Sequence, residues 1–175
     1  MKKFFIIVII VLFTFQFIIA KAQIQNFRTL YELISKPPDI LRQELRKRGF
    51  TYDSKSLIKD SKMYTEIWYR YKTEDARKKG KVNESFVICL GTNTPYMYTY
   101  FNTSKPFAED AISNLDGLGF TLQTNKKTDD GITQSYQNKK YFLSMQVHNQ
   151  EGYSSQVYYI FEKVEDANFF QHAFK

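Results

Sequence analysis

The sequence predicts a mixed α+β protein in which one helix-plus-sheet unit is used twice. Residues 35–51 read SKPPDILRQELRKRGFT and residues 104–121 read SKPFAEDAISNLDGLGFT, so both begin with Ser-Lys-Pro and end with Leu-x-x-x-Gly-Phe-Thr. Each stretch is followed by short runs of β character separated by turn residues, which indicates antiparallel pairing. We therefore predict a tandem duplication of a helix plus a four-stranded antiparallel sheet, with the helices packed on one sheet face.

Both repeated stretches carry signals for the start and the end of a helix. Ser35 and Ser104 are candidate N-caps, because a hydroxyl can accept a hydrogen bond from the first free N–H groups of a helix. Gly49 and Gly119 stand where a left-handed residue usually follows a helix. Apolar residues recur between these signals at helical spacing: Ile40, Leu41 and Leu45 in the first copy, and Phe107, Ala111, Ile112 and Leu115 in the second. A further short amphipathic helix is predicted over residues 24–34.

Eight strand candidates follow the predicted helices. They are residues 50–57, 64–71, 85–90 and 96–101 in the first half, and 120–125, 132–137, 141–148 and 155–164 in the second. Residues 74–84 are predicted to form a charged loop. In 141–148, apolar and mostly polar residues alternate, which predicts one buried and one wet face. Residues 86–90 and 157–161 are apolar on both sides, so those strands are predicted to be central and covered on both faces.

The chain begins with the pattern of an export signal. Two lysines precede an apolar run over residues 4–20, and Ala20-Lys21-Ala22 provides a cleavage pattern of small residues. A membrane anchor is the alternative, because the run is near the lower limit for a span. We predict a signal peptide over residues 1–22, a first unit over 23–102, a second unit over 103–164 and an aromatic C-terminal tail over 165–175. The protein is then exported to the periplasm or the outside, with no permanent membrane anchor.

Composition argues against several kinds of chemistry. Without Lys2, Lys3 and Lys21, 22 basic residues face 18 acidic ones, a net charge of +4, which together with export makes nucleic acid an improbable partner. Cys89, the single cysteine, lies in an apolar run and is predicted to be a buried thiol. No zinc spacing, phosphate loop or nucleophile elbow occurs. We therefore predict no cofactor, no metal and no enzyme; the alternative is carboxylate catalysis, with Asp53, Glu66 and Glu84 as candidate acids.

Two features are candidates for binding. Tyr96, Tyr98 and Tyr100 alternate along one strand and share a face, and together with Trp68 they could stack on sugars or contact a protein. The alternative is aromatic packing inside the fold. A basic helix that includes Arg42 and Arg46 could meet an anionic glycan or lipid headgroup, and the alternative is a solvated charged face.

These observations predict an exported, non-enzymatic binding protein of the bacterial envelope that recognises a protein partner or a second copy of itself. The alternative is a glycan- or lipid-binding module that uses an aromatic sheet face. The layout is similar in outline to the tandem helix–sheet repeats of secreted inhibitor proteins of the β-lactamase-inhibitor type. This likeness is one of layout and no motif of that family occurs, so it implies no activity.

Overall fold

Helices and strands in a computed structural model agree with the mixed α+β prediction. The structure describes residues 24–57, 63–71, 73–91, 95–102, 104–128, 131–148 and 156–164, so the predicted signal peptide and C-terminal tail lie outside it. In chain order, the elements are α1 (Phe27–Ile34), α2 (Pro38–Lys47), β1 (Thr51–Leu57), β2 (Tyr64–Arg70), α3 (Glu74–Lys78), β3 (Glu84–Leu90), β4 (Pro95–Asn102), α4 (Lys105–Asn114), a 3-10 turn (Asp116–Leu118), β5 (Thr121–Thr128), β6 (Gly131–Gln137), β7 (Tyr141–His148) and β8 (Gln156–Lys163). Over these ranges, no helix is both long enough and apolar enough to cross a membrane.

The eight strands form one antiparallel sheet in the order β1-β2-β3-β4-β8-β7-β6-β5. Two four-stranded meanders therefore meet at the β4–β8 pair, where Tyr98 lies opposite Phe161 and Tyr100 lies opposite Tyr159. Each outer pair contains one shift of register, after Tyr52 in β1 and after Leu122 in β5. Such bulges and the exposure of both outer strands keep the edges polar and irregular, which discourages pairing with other chains.

The helix ends agree with the sequence signals at three of four positions. Ser104 accepts from the Phe107 N–H at 3.4 Å, and Gly49 and Gly119 have φ values of 77° and 73°. The N-cap prediction for Ser35 is wrong, because Pro37, held extended with ψ at 148°, precedes Pro38 and α2 can begin only there. Ser35 instead ends α1 as its C-cap.

Residues 74–84 are not wholly a loop as predicted. Thr73 accepts from the Ala76 N–H at 3.0 Å and begins the short helix α3, whose first turn is acidic and whose last turn is basic. Capping and this charge order, which complements the helix dipole, explain why a charged segment becomes helical.

Aromatic rings join the helices to the sheet. The Phe27 ring of α1 lies 5.9 Å from the Tyr159 ring and 5.8 Å from the Phe161 ring, and the Phe107 ring of α4 lies 5.3 Å from that of Tyr100. The Asp110 carboxylate of α4 accepts from the Phe27 N–H at 2.7 Å, so α4 helps to cap α1. Tyr141, Leu143 and Met145 of β7 are also buried in this core, as the alternation in the sequence predicts.

Coverage on both faces, predicted for residues 86–90 and 157–161, is only partly observed. In β3, Phe86, Ile88, Cys89 and Leu90 are buried, whereas Val87 is half-exposed on the other side. In β8, Val157, Tyr159 and Phe161 are buried and the residues between them are half-exposed. One face of these strands is therefore the core, and the other remains accessible.

Candidate functional site

The aromatic residues proposed from the sequence lie mostly in the core. Trp68, Tyr98 and Tyr100 have exposed fractions of 1%, 1% and 0%. Burial raises the pKa of Tyr98 and of Tyr100, since the charged phenolate would lose its hydration. Tyr96 lies in β4, but its side chain is outside the described part of the chain. The three described side chains therefore do not form the exposed aromatic surface that the sequence suggested.

The basic residues proposed from the sequence are turned toward the protein. Arg42 donates from Nε to Oε2 of Glu66 at 2.8 Å and from Nη2 to Oε1 at 2.9 Å, and it contacts Asp39 at 2.6 Å. The Arg46 guanidinium lies 5.5 Å from the centre of the Trp68 ring, within the range of a cation–π contact. Both arginines therefore attach α2 to β2 in this structure.

The carboxylates considered for catalysis are separated. Glu66 is held by Arg42, and Glu84 is held by the Arg70 Nη2 at 2.5 Å, whereas Asp53 is exposed beside the bulge of β1. Cys89 is buried as predicted, and burial raises the pKa of its thiol. Over the described ranges, no group of three His, Cys, Asp or Glu residues could hold a metal ion.

The accessible side of the sheet carries three rows of side chains that run across six strands. We call these rows the open face. From β2 to β6, the central row consists of Ile67, Val87, Thr99, Ile160, Ser144 and Ser135. The row on one side of it consists of Tyr69, Ser85, Phe101, Tyr158, Gln146 and Thr133. The row on the other side consists of Thr65, Cys89, Met97, Glu162, Phe142 and Gln137. All are half-exposed except Cys89.

The open face is almost free of charge. Glu162 carries the only formal charge in the three rows. Aliphatic and aromatic side chains dominate on β2, β3, β4 and β8, and the Phe101 and Tyr158 rings lie 5.0 Å apart across the central β4–β8 pair. Hydroxyl and amide groups dominate on β6 and β7. The face thus combines an apolar centre with an uncharged polar side.

A polar depression lies at one edge of the open face, where β7 and β8 pair. Gln146 and His148 of β7 stand opposite Tyr158 and Gln156 of β8, and we call these four side chains the polar square. They line a depression of about 210 Å³. The His148 and Tyr158 rings meet at 90° with 5.5 Å between their centres, and the Tyr158 hydroxyl donates to the Gln156 Oε1 at 3.5 Å.

The sequence predicts part of this site. Gln146 and His148 alternate with apolar residues, which places them on the wet face of their strand. Their meeting with Gln156 and Tyr158 depends on the register of the β7–β8 pair, which alternation in a single strand does not specify.

Comparison with known protein-family models, with characterised proteins and with solved structures finds no match in any of the three. The fold defines the class as an α+β protein with one eight-stranded antiparallel sheet.

Proposed function

We propose that this chain is an exported, non-enzymatic binding protein of the bacterial envelope that recognises a protein partner through the open face. The observation that carries the proposal is the combination of accessibility, near absence of charge and an apolar centre on one side of the sheet. The export pattern at residues 1–22 supports the location, with cleavage leaving no membrane anchor and the protein in the periplasm or outside.

The size of the open face supports a protein as the occupant. The six strands of the open face lie about 4.8 Å apart and span about 24 Å, and the five residues from the first row to the last, at about 3.3 Å each, span about 17 Å. The product, about 400 Å², is about half of what each partner contributes to an interface of standard size, so it suits a small interface with a protein. A small ligand would occupy only a fraction of it.

The chemistry of the face defines the kind of surface that would fit it. Protein interfaces have an apolar, aromatic-rich centre depleted of charge, and a polar rim. Ile67, Val87, Phe101, Tyr158 and Ile160 provide such a centre. The expected partner presents a largely uncharged, apolar surface, because Glu162 is the only charge in the three rows and a charged group buried away from it would find no opposite charge. Nucleic acid is not favoured, since the three rows contain no Lys or Arg.

Tandem duplication is part of the same proposal. The register shifts in β1 and β5 follow Tyr52 and Leu122, at matching distances from the repeated Gly-Phe-Thr. The helix ends also match, since the Phe50 N–H donates to Leu45 O at 3.0 Å and the Phe120 N–H donates to Leu115 O at 3.0 Å. We propose that the units 23–102 and 103–164 each contribute four strands, with helices on one face of the joint sheet and the opposite face free for the partner.

A photo-crosslinking experiment tests the docking proposal. The protein used is residues 23–175, added to an envelope extract. One variant carries a photoreactive amino acid in place of Thr99, at the centre of the open face. A second variant carries it in place of Ile112, which is exposed on α4. We expect one protein to be crosslinked from position 99 and not from position 112. Ile160→Lys, which places a charge beside position 99, should abolish that adduct. Equal crosslinking from both positions, or none from position 99, would contradict the proposal.

A further inference from the structure

We infer that the polar square of Gln146, His148, Gln156 and Tyr158 is a binding site for one neutral sugar ring. This inference goes beyond the docking proposal, because the site takes a small ligand and lies at one edge of the open face. The two can fail independently.

The two meanders provide an internal comparison. Both contain a large pair on the core side, Phe86 with Tyr100 and Leu143 with Phe161. Three residues further along, on the open face, the first meander places Cys89 opposite Met97, and the second places Gln146 opposite Tyr158. The same position in the sheet is thus filled by apolar side chains in one meander, so the sheet itself does not require polar groups there.

The four side chains have the hydrogen-bonding capacity that sugar hydroxyls need. Amide, imidazole and phenol groups can each donate and accept hydrogen bonds, as can every hydroxyl of a sugar. Among the described residues, the one hydrogen bond within the square is the long Tyr158–Gln156 contact. Over the part of the chain that the structure describes, most of this capacity is therefore left for a ligand, and the square contains no Asp, Glu, Lys or Arg to favour an ionic one.

The rings and the volume fit a single pyranose. The His148 and Tyr158 rings stand at right angles, so the depression has aromatic walls that can contact the C–H groups of a sugar. Its volume of about 210 Å³ is below the roughly 300–1,000 Å³ of pockets for drug-sized ligands. A single ring in an open site of this size is expected to bind with a Kd on the order of 1 mM.

The test is an NMR titration of the full mature chain, residues 23–175. The side-chain amide signals of Gln146 and Gln156, assigned by their loss in Q146A and Q156A, are followed with glucose, galactose and N-acetylglucosamine. The probes for other ligand classes are glucuronate and acetamide. We expect at least one neutral sugar to shift both signals, with about tenfold weaker binding in Q146A, which removes one hydrogen-bonding group.

The control variant is Gln137→Ala, which removes an amide from the open face outside the square. It should bind the sugar like the wild type, and the buried Trp68 should show that each variant is folded. No shift with any neutral sugar would overturn the inference. Equal shifts with acetamide would also overturn it, since they would indicate a pocket for amide groups of proteins. Crosslinking from position 99 is a separate measurement, so loss of sugar binding alone leaves the docking proposal intact.

Discussion

Arg42 is predicted to stabilise the fold by holding α2 on the sheet, and Arg42→Met tests this. The Arg42 side chain is 23% exposed and that of Glu66 is 8% exposed, so the substitution leaves a nearly buried carboxylate without its two charge-assisted hydrogen bonds. Breaking a fully buried pair costs about 3–5 kcal/mol, and partial access of water to Arg42 lowers our expectation to about 2–3 kcal/mol. The double variant Arg42→Met with Glu66→Leu removes both charges, and its free energy of unfolding should lie within about 1 kcal/mol of that of the wild type.

Urea denaturation followed by the fluorescence of Trp68, the only tryptophan, measures the free energy of unfolding of each variant. Lys47→Ala is the matched control on the same helix, because it breaks the exposed pair with Glu44 and should cost less than about 0.5 kcal/mol. The reasoning is refuted if Arg42→Met costs no more than this control, or if the double variant is no more stable than Arg42→Met alone. In that case, the binding role suggested by the sequence would again be the better explanation of Arg42.

Three further predictions concern the backbone, the thiol and the tyrosines. Gly131→Ala should cost more than about 3 kcal/mol of stability or prevent folding, because a Cβ there would lie 1.8 Å from the Val147 carbonyl oxygen. Gly117→Ala is the control, because a Cβ there would meet nothing within 4 Å and should change stability by less than about 1 kcal/mol. Thermal unfolding compares the two variants, and similar effects would contradict the close approach at Gly131. The Cys89 thiol, whose pKa is raised by burial, should react with a thiol reagent only after unfolding in urea, and rapid labelling of the native protein would contradict its burial. Burial also raises the pKa of several tyrosines, so their contribution to stability is fully present below about pH 10, the pKa in the unfolded chain, and is lost as the pH rises further. The tyrosines concerned are Tyr98, Tyr100, Tyr136, Tyr141 and Tyr159. In an alkaline titration, their tyrosinate absorbance should appear together with unfolding, and their ionisation in the folded protein near pH 10 would contradict this.

Local signals predicted the fold well because most of its contacts are local. Each hairpin joins neighbouring strands, and Gly49 and Gly119 end their helices with the positive φ that a glycine adopts readily. Where two local signals competed, the sequence reading failed. At Ser35 the hydroxyl suggested an N-cap, but the restriction that Pro38 imposes on Pro37 determined where α2 begins.

The site was harder to predict because it depends on which sheet face the helices cover. Alternation showed that Tyr98 and Tyr100 share a face, but the packing of Phe107 against Tyr100 makes that face the core. The contact between Arg42 and Glu66 likewise joins a helix to a strand that is not its neighbour in the chain. Side-chain periodicity within one element contains no information about such contacts.

In the described sheet, the β4–β8 pair alone joins strands that are distant in the sequence. Every other pair closes a short connection, whose entropic cost is small, whereas β8 can reach β4 only after α4 and three strands have been made. During synthesis, β4 is therefore an unpaired edge that carries Tyr98 and Tyr100 until the last strand emerges. We therefore expect pairing of β4 with β8 to be the slow step of folding, and the sheet that lacks β8 to be the species most exposed to aggregation.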